Sequence, residues 1–91
     1  MIRSFRHKGL AELWETGKSA KVAPALRRRI EMRLDQLEQA AEPADMAVPG
    51  FDFHPLHGKP VRYSVHVNGP WCITFEWERD GAIRVDLEQY H

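Results

Sequence analysis

The side chains of this sequence that could do chemistry are histidines, a few cations and a tyrosine, and they form two groups. His54, His57 and Lys59 lie close together in the middle of the chain, whereas Tyr90 and His91 close it. Histidine can act as a base or an acid near neutral pH, and lysine can stabilise the charge that a reacting phosphate gains. This set suits metal-free RNA cleavage, in which a 2′-hydroxyl loses a proton and a 5′-oxygen gains one.

The same residues also have structural explanations, because five histidines occur among only 91 residues. His54 precedes Pro55 and would fit as the cap of a strand, and water would solvate His57 beside Gly58. The sequence has no phosphate-binding glycine loop, zinc-ligand spacing or serine nucleophile elbow, so we expect no metal and no cofactor. Residue types alone leave catalytic and structural roles open.

The two groups can meet if the chain between them folds back on itself, and three segments predict that it does. Apolar and polar residues alternate in residues 63–67, 71–77 and 83–88. This period is typical of β-strands with one apolar and one polar face. We therefore predict three antiparallel strands that bring strand ends from distant parts of the chain together.

The turns between these strands contain the hairpin dipeptides Asn68-Gly69 and Asp80-Gly81. A two-residue loop at the first dipeptide would set Val65 opposite Cys72, although opposite residues share a face. The pattern therefore predicts three-residue loops at 68–70 and 79–81, with Gly81 in a left-handed bulge position. The predicted opposite pairs are Val67 with Trp71, Val65 with Ile73, Trp77 with Ile83 and Phe75 with Val85.

Two helices are predicted before the strands. Apolar residues have helical spacing within residues 7–16, and Gly17 is a C-terminal stop. A second helix begins at Pro24, which suits a first helical turn, and runs to about residue 41. The predicted buried stripe of the second helix contains Leu26, Ile30, Leu34, Leu37 and Ala41.

Three shorter elements complete the predicted fold: an edge strand at 2–5, a helical turn at 43–46 and a strand at 51–54 that Pro55 limits. The predicted fold class is α+β, with two N-terminal helices packed on one face of a four- to five-stranded, mainly antiparallel sheet. The opposite, polar face is expected to be open. One domain would cover residues 1–91.

Composition places the chain among soluble proteins of the cytoplasm. Apolar residues make up 43% of 91 residues, which is enough for one core. A single cysteine excludes an internal disulfide and fits a reducing compartment. No run approaches the ~18 apolar residues of a membrane span, so we expect no membrane partner.

Charge is uneven along the chain although the net charge is zero. Residues 1–33 carry nine Lys or Arg and three Asp or Glu, whereas residues 34–58 carry five acids and no Lys or Arg. A basic surface of this kind attracts phosphate backbones or an acidic protein. A solvated helix face is the plain alternative. The arginines of the second helix that lie mostly off its predicted buried stripe are Arg27, Arg28, Arg29 and Arg33.

Residues 53–58 form the motif F-H-P-L-H-G. This motif resembles the L-H-P-L-K-G segment of HigB-type toxins, a branch of the RelE/ParE toxin superfamily. Residues 2–10 resemble the family's I-x-S-F-x-H-K-G-L start, and residues 14–17 resemble Y-E-T-G. Residues 64–75 resemble S-V-x-V-N-G-N-W-R-I-T-F, and residues 90–91 match the end of D-Y-H. The resemblance covers nearly the whole chain in one order.

The resemblance implies a RelE-like fold and a ribosome-dependent mRNA endonuclease that needs no cofactor. It implies a HigA-like helix-turn-helix antitoxin as partner, besides the ribosome and mRNA. The basic helical surface would then contact the antitoxin or the ribosome. The positions linked to catalysis or RNA binding in the family fall on His54, His57, Cys72, Gln89, Tyr90 and His91.

Three of these positions depart from the family pattern. His57 replaces a lysine, Cys72 replaces an arginine and Gln89 replaces an aspartate. A thiol cannot replace a guanidinium as a phosphate clamp, and an amide cannot act as a carboxylate. The candidates for the missing cation are Lys59, Arg62 and Arg84, of which Arg84 is expected on the polar face, one strand away from Cys72.

Two other functions remain open at this point. ParE relatives share the fold and inhibit gyrase by binding alone, so the chain would then need no nuclease chemistry. A toxin that has lost activity and only binds its antitoxin is the other alternative, and the three departures favour it. The H-P-L-x-G segment and the Tyr-His end favour the nuclease.

Overall fold

The computed structural model describes residues 1–89, and within them it confirms the predicted α+β class. Two helices precede four strands, and the strands form one antiparallel sheet in the order β1-β2-β3-β4. No helix within these residues is long and apolar enough to cross a membrane. The elements are α1 (Lys8–Thr16), α2 (Pro24–Gln39), a 3₁₀ helix (Pro43–Met46), β1 (His54–Leu56), β2 (Arg62–Asn68), β3 (Trp71–Glu78) and β4 (Gly81–Gln89).

Local signals set the ends of α1, which ends at Thr16 as predicted and begins one residue later than predicted. The His7 Nδ1 atom accepts a hydrogen bond from the Leu10 N–H at 3.1 Å, so this histidine caps the helix. Gly17 adopts a left-handed conformation (φ 79) and donates its N–H to the Leu13 carbonyl. Glycine adopts this conformation without steric cost, and the helix therefore ends there.

Helix α2 ends earlier than predicted, and this changes its buried stripe. Pro24 occupies the first helical turn as expected, but the helix ends at Gln39 and Ala40 is extended (φ −66, ψ 135). Ala40 is consequently buried and Ala41 is exposed, so the prediction for Ala41 was wrong. The buried residues of the helix are Leu26, Ile30, Arg33, Leu34 and Leu37.

The core lies between the two helices and the apolar face of the sheet. Val65, Ile73, Phe75 and Val85 from the strands are almost completely buried there. Burying each such side chain stabilises the fold by roughly 1.5–3 kcal/mol. An aromatic row continues the core towards β1 and the β3–β4 turn, and it consists of Phe53, Tyr63, Phe75 and Trp77.

The opposite face of the sheet is polar but is not open along its centre, contrary to expectation. Ser64 and Thr74 are opposite each other and almost completely buried, and Cys72 is also buried. Thr74 donates a hydrogen bond to Glu88, so one buried hydroxyl is paired within this face. The polar face therefore has a desolvated centre.

The predicted register between β2 and β3 is confirmed at the centre of the strands and wrong next to the turn. Val65 lies opposite Ile73 as predicted, but the register then shifts and Asn68 lies opposite Trp71. The loop is the two-residue Gly69-Pro70, and Val67 is the extra residue of a β-bulge. A bulge moves the register by one residue just as an odd loop would.

The β3–β4 pair likewise has a two-residue turn and a β-bulge in place of the predicted three-residue loop. Trp77 lies opposite Ala82 and Glu76 opposite Ile83, so the predicted Trp77–Ile83 pair and the three-residue loop were wrong. Arg84 has a left-handed backbone (φ 49) within the irregular part of the ladder, whereas Gly81 has no positive φ. The bulge thus lies inside β4, where it keeps Val85 buried.

The chain segments outside the central strands also differ from the prediction. Residues 2–5 do not form a strand but make two isolated parallel bridges to β4, Ile2 with Ala82 and Phe5 with Val85. Between the bridges, the Arg84 N–H bonds to the Ser4 hydroxyl instead of a main-chain carbonyl, so no continuous ladder forms. The predicted strand at 51–54 begins only at His54 and includes Pro55, which an edge strand tolerates.

Candidate functional site

A cleft of about 490 Å³ opens between β1 and the β2–β3 turn. It brings together three of the predicted site residues, His54, His57 and Cys72. The fourth functional group on its wall is His66. The remaining lining residues are Asp52, Pro55, Leu56 and Gly69.

His54 begins β1 and is exposed at the cleft. Its Nδ1 atom lies 2.8 Å from the main-chain oxygen of Asp52. A carbonyl oxygen can only accept, so Nδ1 carries the proton and Nε2 is the nitrogen that can exchange one. The neutral ring can therefore take a proton at Nε2, and the charged ring can give one.

Helix α2 holds the wall of the cleft in place through Arg33. The Arg33 Nε atom donates to the His66 carbonyl at 2.7 Å, and its guanidinium lies 4.4 Å from the centre of the Phe51 ring. The Phe51 carbonyl in turn accepts the His66 N–H at 2.6 Å. These contacts tie the segment before His54 to β2, and Arg29 adds a bond to the Val67 carbonyl at the bulge.

The prediction that Arg33 lies off the buried stripe was wrong. Arg33 is buried against Phe51, and this burial, followed by the charge of Arg29, lowers the pKa of its guanidinium. The His66 carbonyl lies beyond the β1–β2 ladder, which ends at Ser64, and Arg33 supplies the donor for it. Arg28 and Arg29 are exposed and Arg27 is half-buried, so these three belong to the outer surface of α2.

His66 lines the cleft but is not among the site residues that the sequence predicted. Its Nε2 atom lies 2.9 Å from the Gly69 carbonyl, so Nε2 carries the proton and the ring braces the β2–β3 turn. The alternation of β2 was the available signal, because it sets His66 opposite Cys72 on the polar face. His66 therefore has a structural role at the turn, and its ring also forms part of the cleft wall.

Cys72 is buried, and the residues opposite it on the adjacent strands are His66 and Glu88. Glu88 accepts a hydrogen bond from Arg62 at 2.6 Å, and both side chains are about one quarter exposed. The structure therefore places a guanidinium on the same face as the thiol. Of the three candidate cations, Arg62 is the one paired with the residue directly opposite Cys72.

The other two candidate cations lie elsewhere. Arg84 is on the strand next to Cys72 as expected, but it pairs with Glu76 at 2.9 Å, four residues along β3 from the thiol. Four strand residues span about 13 Å. Lys59 is exposed in the loop after His57.

Gln89 is the last residue of β4, where it is exposed and lies opposite Trp71. Tyr90 and His91 lie outside the described residues. Within residues 1–89, no cluster of His, Cys, Asp and Glu side chains could hold a metal ion.

Two helices over an antiparallel sheet, with imidazoles in a cleft beside the first strand, agree with the RelE-like fold that the motifs implied. A model of the HigB-like toxins, described as RelE-like toxins of the type II toxin–antitoxin system HigB, matches residues 3–91. The chain belongs to this family, and it therefore has an antitoxin as its partner. It is also 36% identical over 92 residues to the endoribonuclease HigB of Proteus vulgaris, with all of both chains covered.

Proposed function

We propose that this chain is a toxin that inhibits translation by cutting mRNA on the ribosome, in the cytoplasm. The observation that carries the proposal is the fixed tautomer of His54 in the cleft. The similarity to an endoribonuclease along the whole chain supports it. The antitoxin would be a HigA-like helix-turn-helix protein, and one toxin domain would span residues 1–91.

The proposed reaction is attack of a ribose 2′-hydroxyl on the adjacent phosphorus. The 2′-oxygen–phosphorus bond forms, the bond from phosphorus to the 5′-oxygen breaks, and the products are a cyclic phosphate and a 5′-hydroxyl. A base takes the 2′-proton and an acid protonates the leaving 5′-oxygen. His54 and His91 share these two roles in the proposal, in either order.

The remaining site residues would bind the RNA. Arg62 is the proposed cation that meets the negative charge gathering on the phosphate. Tyr90 would stack on a base, since an aromatic face accepts any base. The other proposed contacts to RNA or phosphate are His57, Lys59, Cys72, Arg84 and Gln89.

The outer surface of α2 is the proposed contact for the antitoxin or the ribosome. Arg28 and Arg29 are exposed there, and Arg27 is partly so. Because exposed cations bind phosphates by displacing counterions, binding to ribosomal RNA should weaken as salt rises. Arg33 does not belong to this surface because it is buried.

The proposal is tested by inducing the protein in cells and mapping mRNA ends by primer extension. Codon-phased cuts and growth arrest are expected for the wild type, and both should be lost in His54→Ala. His7→Asn is the matched control, because asparagine can replace His7 as a helix cap away from the cleft. If His54→Ala cuts as well as wild type, the catalytic proposal fails.

Two other results would support the alternative functions. Growth arrest without cuts, but with gyrase-linked DNA damage, would indicate a toxin that acts by binding alone. Absence of toxicity would indicate a weakened toxin that only binds its antitoxin, which the cysteine at position 72 and the glutamine at position 89 favour.

A further inference from the structure

One carboxylate oxygen on the polar face of the sheet receives two hydrogen bonds. Arg62 Nη2 donates to Glu88 Oε2 at 2.6 Å, and the Thr74 hydroxyl donates to the same oxygen. Thr74 is almost completely buried, and the other two side chains are about three quarters buried. Thr74 therefore restricts the position of the Glu88 carboxylate, and the carboxylate in turn restricts the position of the Arg62 guanidinium.

These contacts determine where the guanidinium lies. Arg62 is on β2 and Glu88 is on β4, with β3 between them. Neighbouring strands are about 4.8 Å apart, so the Arg62 side chain must extend over β3 to reach its partner. The guanidinium consequently lies over the polar face near Thr74, two residues along β3 from Cys72, instead of extending into solvent.

We infer that Glu88 is a positioning residue for RNA cleavage, which holds the Arg62 guanidinium where it can meet the charge of the reacting phosphate. This inference rests on the proposed function. A donor that is already in place stabilises a developing charge without reorganisation during the reaction. A guanidinium has five N–H donors, so it can bind a carboxylate and a phosphate at the same time.

A carboxylate elsewhere on the sheet serves as a matched control. Glu78 is exposed at the end of β3. Glu78→Gln therefore removes the same charge from the sheet without changing a residue that is proposed to bind RNA or to hold such a residue. A loss that follows merely from the removal of a carboxylate would appear in both variants.

The test is single-turnover cleavage of mRNA on purified ribosomes, measured over a range of toxin concentrations. Glu88→Gln should lower the saturating rate about tenfold or more, since the guanidinium is no longer pre-positioned. The half-saturating concentration should stay the same or fall, because the variant gains one positive charge. Glu78→Gln should change neither quantity by more than about twofold.

A double-variant comparison decides whether Glu88 acts through Arg62. In an Arg62→Ala background, adding Glu88→Gln should change the saturating rate by less than about twofold. An equal loss in both backgrounds would overturn the inference, and so would wild-type rates for Glu88→Gln. If thermal melts show Glu88→Gln to be unfolded, Thr74→Val replaces it in the test, because this change loosens the carboxylate without removing it. Thr74→Val should lower the saturating rate by about threefold, and an unchanged rate would overturn the inference.

The outcome for the wild type separates this inference from the proposed function. If the wild type cuts mRNA and Glu88→Gln cuts equally fast, only the inference about Glu88 fails. If the wild type cuts nothing on ribosomes, the proposed function fails and the inference fails with it.

Discussion

The Nδ1 atom of His54 lies 2.8 Å from the main-chain oxygen of Asp52, two residues earlier in the chain. Asp52 has a left-handed backbone (φ 47), which turns the chain just before β1 begins. The turn presents the carbonyl to the imidazole and so leaves Nε2 for proton exchange. The backbone conformation of one residue therefore sets the chemistry of another.

The first prediction concerns this turn. Asp52→Gly should keep the structure and the cleavage activity, because glycine accepts a left-handed backbone. Asp52→Val should lose roughly 1–3 kcal/mol of stability, since a β-branched residue is strained there, and should cut more slowly. Urea denaturation and a cleavage assay measure both effects. Equal stability and activity of the two variants would contradict the role of the turn.

The second prediction tests the apolar face of the sheet. Ile73→Asp should unfold the protein, because Ile73 is completely buried and the new charge would have no partner. Asn68→Asp is the control, since Asn68 is exposed at the end of β2. Thermal melts should show a folded control and no cooperative transition for Ile73→Asp. Similar melts would refute the burial of Ile73 in the core.

The third prediction separates the buried arginine of α2 from an exposed one. Arg33→Met should cost about 2–4 kcal/mol, because it removes a charged hydrogen bond to His66 and a stacking contact with Phe51. Arg28→Met should change stability by less than about 0.5 kcal/mol, as expected at an exposed site. Urea denaturation compares the two, and equal midpoints would contradict the role of Arg33.

The fourth prediction concerns the cysteine that replaces an arginine of the family pattern. Cys72→Arg should raise the cleavage rate of Arg62→Ala, because the new guanidinium would lie opposite Glu88 and replace the lost cation. In the wild type the same change should add little, since Arg62 already pairs with Glu88. Cleavage on ribosomes measures both. A large gain in the wild type would mean that Arg62 does not supply this charge.

The fifth prediction concerns the outer surface of α2. Arg28→Glu should weaken binding to the antitoxin or to the ribosome by about tenfold at low salt, with little effect on stability. Met32→Ala is the control, because Met32 is also exposed on α2 but carries no charge. Binding to each partner is measured at two salt concentrations. Unchanged affinity of Arg28→Glu for both partners would exclude this surface.

The sequence by itself determined the class of fold, the faces of β2 and β3 and the C-terminal end of α1. Alternation within a few residues is enough to place Val65 opposite Ile73, and Gly17 ends its helix through its own backbone freedom. The motifs likewise indicated the family and identified His54 as a candidate catalytic residue. All of these signals lie within a few residues of the feature they specify.

Only the tertiary structure decided the two bulges, the burial of Arg33 and the pair of Arg62 with Glu88. A bulge and an odd loop give the same alternation, so the pattern does not distinguish them. The carbonyl of the extra residue, Val67, accepts a hydrogen bond from Arg29, which lies 38 residues earlier in the chain. Arg62 and Glu88 are 26 residues apart in the chain, and they meet because β2, β3 and β4 pair side by side in one sheet. Such contacts depend on the relative placement of distant segments, which a local sequence pattern does not contain.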